Sequence, residues 1–194
     1  MKKILEKFIL FLYRKYGLTP DVLTYIRIFS APWLALLISM VLSDNNIKLT
    51  IITIVLYLLI IATDFLDGIL ARAISKTEEH DHYHGGILDQ ISDKILIIFI
   101  LIPFGLNLFT VLIILAESLL AFQVLNFPNR QKQVTYTEKI KKWLQILLIP
   151  ILILQAVISS IPDMAVYVYI IITIIFTYLS VYTHFFYYKK DLHY

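Results

Sequence analysis

The chain alternates long apolar runs with short polar joints. Six runs stand out, at residues 25–42, 49–66, 87–104, 106–124, 143–159 and 164–182, each close to the ~20 residues a helix needs to cross the hydrocarbon of a bilayer. The joints, 43–48, 73–86, 103–107, 126–142 and 160–163, contain no repeat and no low-complexity linker, so residues 1–194 read as a single membrane domain. A different pattern opens the chain. Within residues 1–17, Leu5, Phe8, Ile9 and Leu12 fall on one helical face, and Lys2, Lys3, Lys7, Arg14 and Lys15 lie elsewhere, which predicts an amphipathic helix lying in the headgroup layer. Glu6 and Lys7 interrupt its apolar run and no small-residue cleavage site follows, so it does not read as a signal peptide. The expected fold is all-α and integral to the membrane: six transmembrane helices plus an N-terminal interfacial helix.

Composition agrees with this pattern and narrows the chemistry. With 59% hydrophobic and 16% charged residues and a mean hydropathy of +0.79, the chain could not present a water-soluble surface. It has no cysteine, which excludes disulfides and thiolate metal sites and leaves oxygen or imidazole as metal ligands. If the N-terminus is cytoplasmic, every Lys and Arg except Lys48 falls on the inner face, an asymmetry that sets orientation. The short chain and lean joints suggest a bacterial inner membrane, with an organelle or archaeal membrane as the alternative. Tyr13, Tyr16, Tyr182, Tyr187, Tyr188 and Trp143 fit an interfacial aromatic belt, and Pro103 and Pro150 fit helix ends or kinks.

One stretch breaks the apolar rule. Asp64, Asp67, Gly68, Ala71 and Arg72 fall on one face of the second crossing helix, and Gly85, Asp89 and Asp93 on one face at the start of the third. A carboxylate at the centre of a membrane helix costs about +3 kcal/mol, and four brought together repel one another unless cations intervene. Two divalent ions would satisfy them and form a template for displacement at phosphorus, and oxygen-only ligation favours Mg²⁺ or Mn²⁺. The small residues Gly68, Ala71 and Gly85 leave bare backbone against which a nucleotide could lie, and Arg72 is a forked donor suited to phosphate.

As they stand, DFLDGILAR and GGILDQISD resemble the signature of the CDP-alcohol phosphotransferase family, D-x-x-D-G-x-x-A-R followed by G-x-x-x-D-x-x-x-D, with all eight signature residues present. The spacer 73–84, which includes SKTEEHDHYH, is longer than is usual in the family. TPDVLTYIR is similar to the family's P-N-x-L-T-x-x-R, with Asp21 in place of Asn. The resemblance implies a homodimeric enzyme of phospholipid synthesis that transfers a phosphatidyl group from CDP-diacylglycerol to an alcohol, releasing CMP. It implies that Asp64, Asp67, Asp89 and Asp93 bind two metal ions and that Asp93 takes the acceptor's proton. It further implies that Asp21, Val22, Leu23, Thr24, Gly68, Ala71, Arg72, Thr77 and Gly85 hold the CDP portion.

The acceptor is read from the basic joint NRQKQVTYTEKIKKWLQ, where Arg130, Lys132, Lys139, Lys141 and Gln145 are the candidates for holding a phosphorylated alcohol. Positive-inside topology alone could also account for these cations. EKIKKWLQ is similar to the G-K-x-K-T-x-x-Q element of phosphatidylglycerophosphate synthases through Lys139, Lys141 and Gln145, with Glu138 and Lys142 in place of Gly and Thr. Glu117 corresponds to the Glu of their Arg-Glu pair, with Ala116 where the Arg would stand. Glycerol 3-phosphate is therefore the expected acceptor, with inositol phosphate, serine or phosphatidylglycerol as alternatives. Nucleic acid is not an expected partner. An ion transporter would need polar residues through the depth of several helices, whereas the third to sixth runs are nearly uniform Ile, Leu, Val, Phe and Tyr away from the cytoplasmic end, and a silent scaffold would not need Asp93. His80, Asp81, His82 and His84 read as a hydrophilic insertion, with a transition-metal site as the alternative.

Overall fold

The computed structural model describes Phe11, Tyr13, Lys15, Gly17 and residues 19–77, 85–126, 136–158 and 161–186. Among the described residues from Pro20 onward, six helices follow one another: α1 (Pro20–Asp44), α2 (Ile47–Thr77), α3 (Gly85–Leu101), α4 (Leu108–Asn126), α5 (Tyr136–Val157) and α6 (Asp163–Phe186), with a 3-10 turn, Ile102–Phe104, after α3. No strand occurs among the described residues. The all-α membrane fold expected from the apolar runs is thus the one adopted. Five of the helices, all but α3, are long and apolar enough to cross a bilayer. α3 has 17 residues and carries Asp89, Asp93 and Lys94 within its first ten, and the apolar remainder runs on into the 3-10 turn.

Two helices extend beyond their apolar runs, and both extensions shape the site. α2 continues past Leu66 to Thr77 because the segment ILARAISK consists mostly of residues that tolerate a helix well. Asp64 and Asp67 therefore stand on continuous helix, and the joint expected from residue 73 begins only after Thr77. α5 begins at Tyr136, seven residues before Trp143, with Glu138 in its first turn, where a carboxylate complements the helix dipole. Lys139, Lys141 and Lys142 are consequently helical rather than part of a loop.

The start of α1 is written in Thr19-Pro20-Asp21. The Thr19 side chain accepts a hydrogen bond from the Val22 N–H at 3.3 Å, and Pro20 occupies the first turn, where its missing N–H costs nothing. Just before it, Phe11, Tyr13 and Lys15 are helical. Gly17 follows at φ +65° with its N–H bonded to the Tyr13 carbonyl at 2.9 Å, a left-handed helix end that suits glycine. The remainder of the expected interfacial helix lies outside the described residues. Tyr13 packs on Leu23, Leu70 and Ile74 at the motif end of the bundle.

α1 packs along both α2 and α3 and also meets α5, while α4, α5 and α6 close the other side of the bundle. The main core joins Ala31, Leu34 and Ile38 of α1 to Tyr57, Ile100, Ile113, Leu148 and Ile153 from the surrounding helices. Large apolar side chains such as Phe29, Trp33 and Leu108 are about 70% exposed, as expected of faces that meet lipid. Thr50, Thr53, Thr173 and Thr177 are buried instead, each hydroxyl donating to the carbonyl four residues earlier.

Pro150 sits inside α5 and cannot donate to the Ile146 carbonyl, which a bilayer leaves no water to satisfy. The fully buried Tyr57 of α2 supplies the missing donor, its hydroxyl reaching Ile146 O at 3.1 Å. Tyr57→Phe should therefore lower stability by about 0.5–1.5 kcal/mol, read as thermal unfolding in detergent. In a Pro150→Ala background, where the helix satisfies its own carbonyl, the same substitution should cost less.

Candidate active site

The site is organised by a cation from α1. Arg27 is 0% exposed. Its Nη1 lies 2.8 Å from Asp89 Oδ1, 2.7 Å from Asp93 Oδ1 and 3.4 Å from Asp64 Oδ1, and its Nη2 lies 2.7 Å from Asp67 Oδ2. Nη1 also donates to the buried Ser92 hydroxyl at 3.0 Å, which in turn donates to the Asp89 carbonyl at 2.7 Å. All four carboxylates of the two stripes thus converge on one guanidinium. α1 lies along both α2 and α3, and Arg27 bridges the acids those helices present. The planar, always-charged fork of arginine suits this role, since it can address several oxygens at once without losing its proton. Its Nε–H is buried without an acceptor among the described residues.

A second cation arrives from α5. Lys142 Nζ lies 2.6 Å from Asp64 Oδ2 and 2.7 Å from Asp93 Oδ2, but its side chain is 43% exposed. Two cations against four carboxylates leave two formal negative charges. Asp64, Asp89 and Asp93, all half-buried, each offer an oxygen within 4.8 Å of the others. Ligands at about 2.1 Å place opposite oxygens of an octahedral ion about 4.2 Å apart and neighbouring ones about 3.0 Å apart, so the triad would draw inward to close on Mg²⁺ or Mn²⁺. The donor set, all carboxylate oxygen, fits such a hard ion. Asp67 is outside the triad, buried and tied to Arg27.

Beside the triad opens a cavity of about 260 Å³, lined by Asp64, Asp89 and Asp93 and also by Lys94, Lys139, Lys141, Lys142 and His184. Its far wall is a buried network. Lys141 Nζ donates to both Glu117 oxygens at 3.0 and 3.2 Å, and Gln145 Nε2 donates to Glu117 Oε1 at 2.6 Å. Glu117 is only 1% exposed, so both donors are needed to compensate a carboxylate taken out of water. Gln123 Nε2 donates to the His184 carbonyl at 2.7 Å, and His184 Nε2 lies 3.4 Å from Glu138 Oε2. These contacts fix the end of α6 to α4 and the start of α5.

The structure therefore gathers Asp64, Asp67, Asp89 and Asp93, and places Lys139, Lys141 and Gln145 on the same cavity. Lys139 stands over the Tyr136 ring at 5.7 Å. Of the α1 residues expected to hold the nucleotide, Asp21 is half-buried and Val22 exposed, whereas Leu23 packs in the small core at this end. Thr24 is buried, its hydroxyl donating to the Pro20 carbonyl at 3.1 Å. Gly68 lies on α2 one residue after Asp67, and the backbones of Ala71, Arg72 and Thr77 continue that helix. Gly85 opens α3. The side chains of Ala71, Arg72 and Thr77, and residues 78–84, Arg130 and Lys132, lie outside what is described. Sequence reasoning assigned no task to Arg27, Ser92 or Lys94, although Arg27 ends the TPDVLTYIR element, and it counted Lys142 only among the cations of the basic joint that could hold an anionic acceptor, not as a partner of the acids.

Helices long enough to span a bilayer, with a carboxylate centre and a cationic cavity at one end, are those of a multi-pass membrane protein whose cavity suits anionic ligands. Residues 17–183 match the family model for CDP-alcohol phosphatidyltransferase. The chain belongs to that family, and with it to the transferases of phospholipid synthesis that move a phosphatidyl group from a CDP-linked donor to an alcohol. No curated protein and no solved structure matches the chain.

Removing the central cation leaves four acids facing one another. Arg27→Met should therefore destabilise the protein by about 3–5 kcal/mol, the usual cost of breaking a buried ion pair from one side, when thermal unfolding is followed in EDTA. Added Mg²⁺ should restore part of the loss. An Arg27→Met protein as stable as wild type in EDTA would contradict the arrangement.

Proposed function

We propose that this protein transfers a phosphatidyl group from CDP-diacylglycerol to glycerol 3-phosphate at a two-metal centre and releases CMP. The observation that carries the reading is the triad Asp64, Asp89 and Asp93 opening directly onto a cavity lined by four lysines. Asp64, Asp67, Asp89 and Asp93 would hold two Mg²⁺ or Mn²⁺ ions. Those ions would neutralise the diphosphate and ease departure of CMP. The acceptor oxygen attacks the phosphorus that carries the diacylglycerol, the bond from that phosphorus to the CMP oxygen breaks, and the acceptor's proton passes to Asp93. Arg27 keeps the carboxylates in register through the reaction. Asp21, Val22, Leu23, Thr24, Gly68, Ala71, Arg72, Thr77 and Gly85 would form the side that receives the CDP portion.

The cationic lining supports an acceptor that itself carries phosphate. Lys139 is the candidate with its ammonium least committed to a buried partner, whereas Lys141 and Gln145 are aimed by Glu117. Arg130 and Lys132, in the same basic joint, would add to this cationic charge. The likeness of EKIKKWLQ to phosphatidylglycerophosphate synthases favours glycerol 3-phosphate over inositol phosphate, serine or phosphatidylglycerol. We place the site on the cytoplasmic face of a bacterial inner membrane, in a homodimer, on the strength of the charge asymmetry and the family.

Purified protein given CDP-diacylglycerol and Mg²⁺ or Mn²⁺ should release CMP with glycerol 3-phosphate and much less with inositol, inositol phosphate, serine or phosphatidylglycerol. Strong release with another acceptor would replace glycerol 3-phosphate in this account. Asp93→Asn should lower turnover by at least about 10²-fold, the usual worth of a positioned base, while keeping the wild-type elution profile in detergent. Normal turnover by that variant would remove Asp93 from the reaction.

A further inference from the structure

Both oxygens of Asp64 and of Asp93 are engaged, and by cations of opposite character. Arg27 holds Oδ1 of each from inside the bundle, at 3.4 and 2.7 Å, and Lys142 holds Oδ2 of each from the cavity side, at 2.6 and 2.7 Å. The guanidinium is 0% exposed and also tied to Asp67, Asp89 and Ser92, so it has nowhere to go. The lysine is 43% exposed, sits on a long flexible stem and borders a cavity large enough to receive it.

We infer that Lys142 is a built-in competitor for the divalent cation: it neutralises Asp64 and Asp93 when no metal is bound and is turned out into the cavity when one binds. The inference rests on the metal reading proposed above. A divalent ion brings two charges to the same oxygens where lysine brings one, and two cations cannot share those oxygens without repulsion. Lys142 stands where the related sequence element carries Thr, so this competition is a property of this chain's own residue. It has a purpose in charge terms, because the carboxylates are never left with only Arg27 as counter-charge.

The test is Mn²⁺ binding by the full-length protein in detergent, followed by the loss of the free-ion electron paramagnetic resonance signal. Lys142→Met should bind Mn²⁺ about tenfold more tightly than wild type, the equivalent of one charge-assisted contact that no longer has to be broken. Lys142→Arg retains the competing charge and should stay within about threefold of wild type. Thermal unfolding separates competition from simple packing. Lys142→Met should be less stable than wild type in EDTA and equal to it in saturating Mn²⁺, since the lysine no longer touches the acids in the loaded state. Unchanged or weaker Mn²⁺ binding by Lys142→Met, or equal destabilisation in both conditions, would overturn the inference while leaving the metal site standing. Wild-type protein whose Mn²⁺ binding is absent, or indifferent to Asp93→Asn, would overturn both.

Discussion

A single buried guanidinium sets the conditions for everything at the motif end of this bundle. Arg27 contacts the carboxylates of Asp64, Asp67, Asp89 and Asp93, and these acids come from two helices that meet chiefly through α1. Burying Arg27 and Asp67 outright and the other three acids in part is costly, and is tolerable only where each charge finds partners in good geometry. The arrangement therefore dictates where α1 starts, how deep α2 and α3 sit against it, and which faces they present. Thr19, Pro20 and Asp21 begin α1 two turns before Arg27, and the core formed by Ala31, Leu34 and Ile38 carries the same packing onward through the apolar part of the bundle.

Around that fixed centre, the remaining cations differ in how freely they can respond. Lys141 is buried and bonded to both oxygens of Glu117, itself braced by Gln145. It is part of the wall. Lys142, the next residue on α5, faces the carboxylates and remains exposed enough to move. Adjacent positions on a helix point about 100° apart, so one turn of α5 can both anchor itself to α4 and serve the acidic centre. The cavity between them joins the two functions, with the metal-suited triad on one side and the braced cations on the other.

Much of this was legible from the sequence because it depends on local period. The apolar runs gave the helices, and the spacing of Asp64 and Asp67, and of Asp89 and Asp93, placed each pair on one helical face. Helix ends were less legible: hydropathy falls at Leu66 and rises at Trp143, yet α2 runs to Thr77 and α5 starts at Tyr136 because helix propensity persists where hydrophobicity does not. Beyond the meeting of the two acid-bearing stripes, contacts between distant segments were not legible. Nothing in the pattern near Arg27 announces acids some 40 to 66 residues away, and Lys142 looked like one more cation in a basic joint. A buried arginine in an apolar run was the available signal, since an intramembrane charge implies a partner.

The central claim is that these carboxylates, held by Arg27, form a divalent metal centre. Anomalous scattering from crystals of the protein grown with Mn²⁺ tests it most directly. A peak is expected among Asp64, Asp89 and Asp93, with Arg27 still bonded to its acids. Peaks only elsewhere, or an ion that displaces Arg27 and leaves Lys142 in place, would contradict it.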